Sequence, residues 1–286
     1  MNYYVEHAVV DALMEDVEDM LGDIPSGDHS SLACIPNAQA GKAKLLCKAE
    51  GILAGVELAK YICQVVDDEI RFEQFLADGT AIKHGDIAFH IHGEVKSILR
   101  AERVILNFMQ RMSGIATNTS RYVKAVEGTN TKILDTRKTT PGLRYFEKWA
   151  VRIGGGHNHR FGLYDMVMLK DNHIDFCGGV AKAIEAVRVY QEKNNLNLPV
   201  EVETRTLQDV EEVMRTGNVT RIMFDNYDTA TMKQAVAIVG GKYETEASGG
   251  ITLDTIRGYA ETGVDYISVG ALTHSSVSLD LSLKAF

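Results

Sequence analysis

Apolar residues share one face of a helical wheel at the start of the chain. Val9, Leu13, Val17, Met20 and Leu21 line up over 5–21, so the spacing predicts an amphipathic helix there. The Ser/Gly/Asp-rich stretch 22–31 has no period and predicts a loop. Residues 42–50 and 52–55 predict two strands about a turn, 57–64 a helix, and 70–76 and 88–95 further strands. The last of these alternates Phe89, Ile91 and Gly93 against His90, His92 and Glu94, the period of two of a half-buried strand. This first third is mixed α and β, without a catalytic motif of its own.

From Ser97 the texture changes. Val104, Ile105, Phe108, Met109 and Met112 predict a long helix over 101–126. Beyond it, short β-branched runs at 132–135, 166–169, 200–203, 221–224, 243–247 and 265–269 alternate with helix-like stretches, including 180–192, 207–216, 229–238 and 253–261. Alternating strand and helix predicts a parallel sheet, open or closed into a barrel, and the glycines ending the last two strands favour the barrel.

Composition narrows the setting. The chain has 286 residues, 45% of them apolar, with a net charge of -9, which argues against broad attraction to nucleic acid or to an anionic membrane. Any anion site must therefore be a local concentration of basic residues. The first twenty residues carry Glu6, Asp11, Glu15, Asp16, Glu18 and Asp19 without Lys or Arg, the reverse of a signal peptide, and no apolar run reaches membrane length. Cys34, Cys47, Cys63 and Cys177 form no CxxC pair, and scattered thiols of this kind predict a reduced, cytoplasmic protein.

The chemistry sits at the strand ends. The first of the six runs leads into Asp135, Thr136, Arg137 and Lys138; the second ends at Lys170, Asp171, Asn172 and His173. The third ends at Glu203, the fourth at Asp225 and Asn226, the fifth at Ser248, Gly249 and Gly250, the sixth at Gly270 and Ala271. In an α/β barrel these ends converge on one mouth, where the active site lies. Gly249, Gly250 and Gly270 there suit a phosphate, because glycine lets backbone N–H groups approach it. Arg137 with Lys138, and His159 with Arg160 after the 154–156 glycine triplet, suit a planar polycarboxylate, since guanidinium forks match carboxylates two bonds at a time. Arg144, Lys148 and Arg152 recur at helical spacing, and for Lys148 and Arg152 a solvated helix face accounts for them. The triplet itself either ends that helix or lets backbone approach a ligand. Glu203 and Asp225 then face a basic mouth and predict Mg2+ or ion pairs with Lys138 and Lys170.

Several motifs carry a family resemblance. Ala101-Glu102-Arg103, 107–117, Thr136 to Arg144, 154–163, Leu169 to Ile174, 201–204, Asp225-Asn226, Ala247 to Ile251 and 263–275 together resemble quinolinate phosphoribosyltransferase, of the type II phosphoribosyltransferases. The resemblance runs in order from about Arg100 to the end. It implies an N-terminal α/β sandwich over 1–105, rejoined by the tail 275–286, and an incomplete, seven-stranded TIM-like α/β barrel over 106–274. It implies transfer of phosphoribosyl from phosphoribosyl pyrophosphate to quinolinate with decarboxylation, giving nicotinate mononucleotide, pyrophosphate and CO2. Thr136, Arg137, His159, Arg160 and Lys170 would line the quinolinate pocket, with Arg103 reaching in from the partner of a homodimer. Lys138, Glu203 and Asp225 would serve the phosphoribosyl pyrophosphate and its Mg2+, and Ser248, Gly249, Gly250, Gly270, Ala271 and His274 its phosphates. Without the resemblance, Arg103 reads as a surface charge on a helix.

Three rivals are distinguishable. A molybdenum-transport-associated paralogue shares the fold but is the weaker match to the carboxylate-binding motifs. A Schiff-base aldolase would use a desolvated Lys170 as nucleophile. A non-catalytic binding homologue is expected to lack Lys138, Glu203 or Asp225, and all three are present.

Overall fold

The computed structural model describes residues 3–19 and 22–286. In chain order these form α1 (Tyr3–Glu15), α2 (His29–Cys34), β1 (Ala40–Cys47), β2 (Gly51–Ile52), α3 (Val56–Val66), β3 (Arg71–Gln74), β4 (Ala81–Ile82), β5 (Ile87–Glu94) and α4 (Val95–Ala125). Then follow β6 (Lys132–Leu134), α5 (Arg144–Ile153), β7 (Val167–Leu169), α6 (Asp171–Cys177), α7 (Val180–Asn194), β8 (Val200–Thr204), α8 (Leu207–Thr216) and β9 (Arg221–Asp225). The last are α9 (Thr229–Val239), β10 (Glu244–Ser248), α10 (Ile256–Ala260), β11 (Tyr266–Ser268), α11 (Ala271–His274) and β12 (Leu281–Ala285). Among the described residues no helix is long and apolar enough to cross a membrane.

The chain divides into two units. One comprises Met1–Asn118, Thr140–Gly154 and Ser276–Phe286, the other Thr119–Thr139 and Gly155–Ser275. The division falls inside α4 rather than at the expected 105/106, and it assigns 140–154 to the first unit. Contacts within that unit explain both differences. Gln110 donates its Nε2–H to the Leu281 carbonyl at 2.9 Å, and the Leu279 N–H donates to the Gln110 carbonyl at 2.9 Å. A Cβ on Gly114 would stand 2.1 Å from the Val277 carbonyl oxygen, so only glycine lets the tail lie this close to α4. Arg111 donates to the buried Glu147 carboxylate of α5 at 2.7 Å, and Phe108 packs on Phe146 with ring centroids 4.6 Å apart.

The first unit holds a four-stranded sheet in the order β12-β1-β5-β3, its pairs antiparallel. The alternation of β5 is realised: Phe89 and Ile91 are fully buried while His90 and His92 face outward. On α1 the apolar face buries Val5, Val9 and Leu13, and the helix ends at Glu15, short of the expected 21. Met20 and Leu21 lie outside the described residues. The expected loop 22–31 contains the start of α2, where Asp28 caps by accepting the Ser31 N–H at 3.1 Å.

The second unit is the parallel sheet. Its six strands are the six predicted runs, in the order β6-β11-β10-β9-β8-β7. Each strand from β7 to β11 neighbours the next in sequence, and β6 returns to pair with β11, which is the cyclic order of a barrel. A seventh position is a single parallel bridge of His157 to Leu134 on the free side of β6. Among the described residues no ladder joins that bridge to β7, so the barrel is incomplete there. The outward Val202, Ile222, Phe224 and Ala247 are buried with no exposed surface, as a helix-covered parallel strand requires.

Candidate active site

The C-terminal strand ends open on a cavity of about 900 Å³. Of the residues predicted for the site, Thr136, Arg137, Lys138, His159, Arg160, Lys170, Glu203, Asp225, Ser248, Gly249, Gly250, Gly270, Ala271 and His274 all line it. Arg103 does not; it is exposed on α4. A shallow hollow over α7 is lined by Ala181, Lys182, Glu185, Ala186, Val189 and Tyr190 and converges no reactive groups.

Each wall follows from local structure. After β6 the fully buried Asp135 carboxylate accepts the His159 N–H at 2.8 Å and the Asn158 side-chain N–H at 2.6 Å. That contact draws the segment following the glycine triplet to the end of β6. Gly154 and Gly155 serve the bland role foreseen for them, since Gly154 caps α5 and Gly155 has φ +87°. Lys138 is held by its backbone: its N–H donates to Thr136 Oγ1 at 3.0 Å and its carbonyl accepts from Thr273 Oγ1 at 2.8 Å. The ammonium is left to the exposed mouth.

Arg137 and Arg160 stand near one another. Burial, and then the like charge of Arg137, lower the Arg160 pKa, while Glu201 and Asp165 oppose that shift. Two guanidinium groups that repel each other in the free protein make a site for a doubly charged anion. Across the mouth, Lys170 Nζ lies 3.6 Å from Glu203 Oε2. Glu203 is raised by burial, with Asp225 and Asp171 adding to the shift and Lys170 opposing it. Asp225 is likewise raised by burial, with Asp171 adding to it. Carboxylates that hinder one another's ionisation at adjacent strand ends are a donor set of the hard-oxygen kind that takes a divalent cation.

Ser248, Gly249 and Gly250 form the turn after β10. Gly249 has φ +97° and an added Cβ would meet Asn226 Oδ1 at 2.2 Å, so the turn admits no side chain there. Asn226 closes the neighbouring turn, its N–H donating to the Ser248 carbonyl at 2.9 Å and its side chain to Asp225 Oδ2 at 2.7 Å.

Beneath this mouth lies a layer the sequence reading did not single out. Strands alternate inward and outward, so Glu201 and Glu203 of β8 share the barrel interior, as do Arg221, Met223 and Asp225 of β9 and Glu246 and Ser248 of β10. Glu201 and Glu246 have no exposed surface, and burial pushes both pKa values up to about 7. The charged alternation E-V-E and E-T-E-A-S was the available signal, indistinguishable from a solvated strand face until the barrel encloses it. Asp171 also lines the cavity and was not singled out. Lys148 corrects another expectation. It is buried, because α5 covers Phe146, Glu147, Lys148, Ala150 and Val151 around most of its circumference, and no solvated face of that width remains. Arg152 is exposed, as expected.

Comparison with known proteins gives a consistent answer. The family described as quinolinate phosphoribosyl transferase, C-terminal domain, matches residues 115–284, and its N-terminal counterpart matches 28–113. A nicotinate-nucleotide pyrophosphorylase [carboxylating] of Oryza sativa subsp. japonica, named as chloroplastic, is 47% identical over 96% of this chain and 75% of its own length. The probable nicotinate-nucleotide pyrophosphorylase [carboxylating] of Bacillus subtilis is 43% identical over 92% of this chain and 89% of its own. The crystal structure of NadC from Streptococcus pyogenes superposes with a TM-score of 0.92 at 40% identity, covering 99% of this chain and 96% of that one.

Proposed function

The chain belongs to the quinolinate phosphoribosyltransferase family, and we propose that its barrel mouth transfers phosphoribosyl from phosphoribosyl pyrophosphate to quinolinate with loss of CO2. The products are nicotinate mononucleotide, pyrophosphate and CO2, a step of de novo NAD biosynthesis. One observation carries this reading: a single cavity joins a pair of arginines to a cluster of carboxylates and a glycine turn.

Arg137 and Arg160 grip the two ring carboxylates, with Thr136, His159 and Lys170 completing that wall, so the pyridine nitrogen points at the ribose. The nitrogen forms a bond to the anomeric carbon as the carbon–oxygen bond to pyrophosphate breaks, through an oxocarbenium-like state. Lys138 neutralises charge on the departing pyrophosphate, and the N–H groups of Ser248, Gly249, Gly250, Gly270 and Ala271, with His274, hold phosphate oxygens. Glu203 and Asp225 are the residues that would hold Mg2+, directly or through water. When bound, that ion supplies charge neutralisation for the phosphate oxygens. Once the ring nitrogen is quaternary, the adjacent carboxylate leaves as CO2 and the ring takes a proton at that carbon. Little acid–base chemistry is required, in keeping with a mouth of fixed charges.

Lys170 is half exposed and ion-paired, the reverse of the desolvated amine a Schiff-base aldolase needs. Four free cysteines support a reducing compartment, and we propose the cytoplasm. We also assign it to a homodimer in which Arg103, exposed on α4, serves the neighbouring site. The test is incubation with quinolinate, phosphoribosyl pyrophosphate and Mg2+. Pyrophosphate and CO2 should appear in equal amounts and cease without metal, and nicotinate should not replace quinolinate. Pyrophosphate without CO2, or equal use of nicotinate, would sink the reading.

A further inference from the structure

Below the cavity floor, a chain of contacts leads from the barrel interior to one of the substrate arginines. Arg221 of β9 donates from Nη1 to Glu246 Oε2 at 2.9 Å, and from Nε and Nη2 to Glu244 Oε2 at 3.0 and 2.9 Å. Its guanidinium lies over the Tyr266 ring, 4.1 Å from the centroid, which fixes its plane. His159 Nε2 stands 3.0 Å from Glu201 Oε2 and 3.5 Å from Glu246 Oε2. On the other side of the same ring, Nδ1 accepts the Arg160 backbone N–H at 2.7 Å. Arg160 in turn donates from Nη1 to the Met166 carbonyl at 3.1 Å.

This arrangement has two consequences. First, Nδ1 must be an acceptor, so the ring proton sits on Nε2, between two carboxylates. Both imidazole nitrogens are thereby occupied by the protein itself, and His159 lines the cavity without aiming a nitrogen of its own at it. Second, the carboxylates are not arranged for stability. Glu201 and Glu246 are fully buried, and the charge of Glu201 adds to the cost of ionising Glu246. Well-packed apolar side chains in the same places would hold the barrel at least as well. Glu201 also opposes the desolvation of Arg160.

We propose that Glu246, anchored by Arg221, is a positioning residue that works with Glu201 to orient His159, and through His159 Nδ1 fixes the backbone from which Arg160 reaches a substrate carboxylate. This rests on Arg160 being a carboxylate grip for quinolinate. It assigns Glu246 no contact with substrate; its effect passes entirely through the imidazole.

The experiment is a double-mutant cycle in the full-length enzyme. E246Q keeps the shape and removes the charge. It should raise the KM for quinolinate about tenfold, leave that for phosphoribosyl pyrophosphate within about twofold, and add less than about twofold when H159N is already present. An additive effect in the H159N background, or an equal rise for both substrates, would overturn the proposal. E201Q should give the same pattern and stands in if E246Q does not fold. Nitrogen NMR of histidine-labelled wild-type protein provides an independent reading that needs no variant. It should find His159 Nδ1 unprotonated, and a proton there would overturn the chain of contacts. R160A separates the two levels. If it leaves the quinolinate KM unmoved, the carboxylate grip fails; if it raises KM while E246Q does not, only the present inference fails.

Discussion

Arg160 and Arg137, the two arginines proposed to grip quinolinate, stand in different surroundings. Arg160 is part-buried, with one guanidinium nitrogen committed to the Met166 carbonyl, whereas Arg137 is exposed. Removing Arg160 takes a counter-charge from Glu201, which Arg221 also serves, and from Asp165, as well as the grip proposed for the substrate. R160A should therefore weaken quinolinate binding by about 2–5 kcal/mol, the range for stripping one partner from a buried charge pair. R137A, in better-solvated surroundings, should cost about 1.5–3 kcal/mol, the range for one hydrogen bond to a charged group. Calorimetric titration with quinolinate ranks the two, and a larger loss at Arg137 would contradict the burial argument. A second consequence concerns pH. Burial raises the Glu201 and Glu246 carboxyls from an ordinary 4.5 to about 7. Between those values the native protein holds protons that the unfolded chain has released, so stability falls as pH rises through that window. E246Q removes one of those groups, and its melting temperature relative to wild type should climb between about pH 5 and pH 8. A difference that stays flat across that range would show that the pair carries no such proton.

At the scale of elements, the turn after β10 is where backbone and chemistry constrain each other most. G249A would force a side chain into a left-handed conformation and against Asn226, a strain of about 1–3 kcal/mol. Asn226 in turn donates to Asp225, so the disturbance should reach the carboxylate end of the mouth. The expected outcome is a weaker interaction with phosphoribosyl pyrophosphate and an unchanged affinity for quinolinate; loss of both alike would mean that the turn only supports the fold. The legibility of the sequence varied at this same scale. The six barrel strands were readable because buried parallel strands are β-branched runs bounded by polar ends, and those ends line the cavity. The short pieces were not. α2 lies partly inside a Ser/Gly/Asp stretch whose cap, Asp28, is also a common turn residue, and α6 follows Lys170 with too few residues to display a period. β12 owes its strand to pairing with β1, a partner more than two hundred residues away that local pattern cannot reveal. Glu201, Arg221 and Glu246 were hidden for a related reason. Alternating charges predict a wet face, and only closure of the sheet turns that face inward.

At the scale of the whole molecule, what remains is Arg103. It is exposed on α4 and absent from the cavity lining, although the motif containing it is among those that resemble the family. Among the described residues Arg103 has no ion pair or side-chain hydrogen bond, which leaves it available to a neighbour, and a two-fold dimer supplies the symmetry, because each subunit would give and receive the same arginine. The arithmetic of mixing distinguishes the cases. An R103A subunit keeps its own Lys138, and a K138A subunit keeps the Arg103 it would lend. In a heterodimer of the two, the site built on the R103A chain has both groups and the other site has neither. Random exchange at equal amounts makes about half the dimers mixed, each with one working site, so about a quarter of wild-type activity should return. If Arg103 acts within its own chain, every site lacks one group or the other and nothing returns, even when exchange is demonstrated by a mass-labelled subunit. The same mixture reports on Lys138. Recovery requires that Lys138 and Arg103 serve one site from two chains, so a quarter of the activity would establish both assignments and make the dimer, rather than the single barrel, the unit of catalysis.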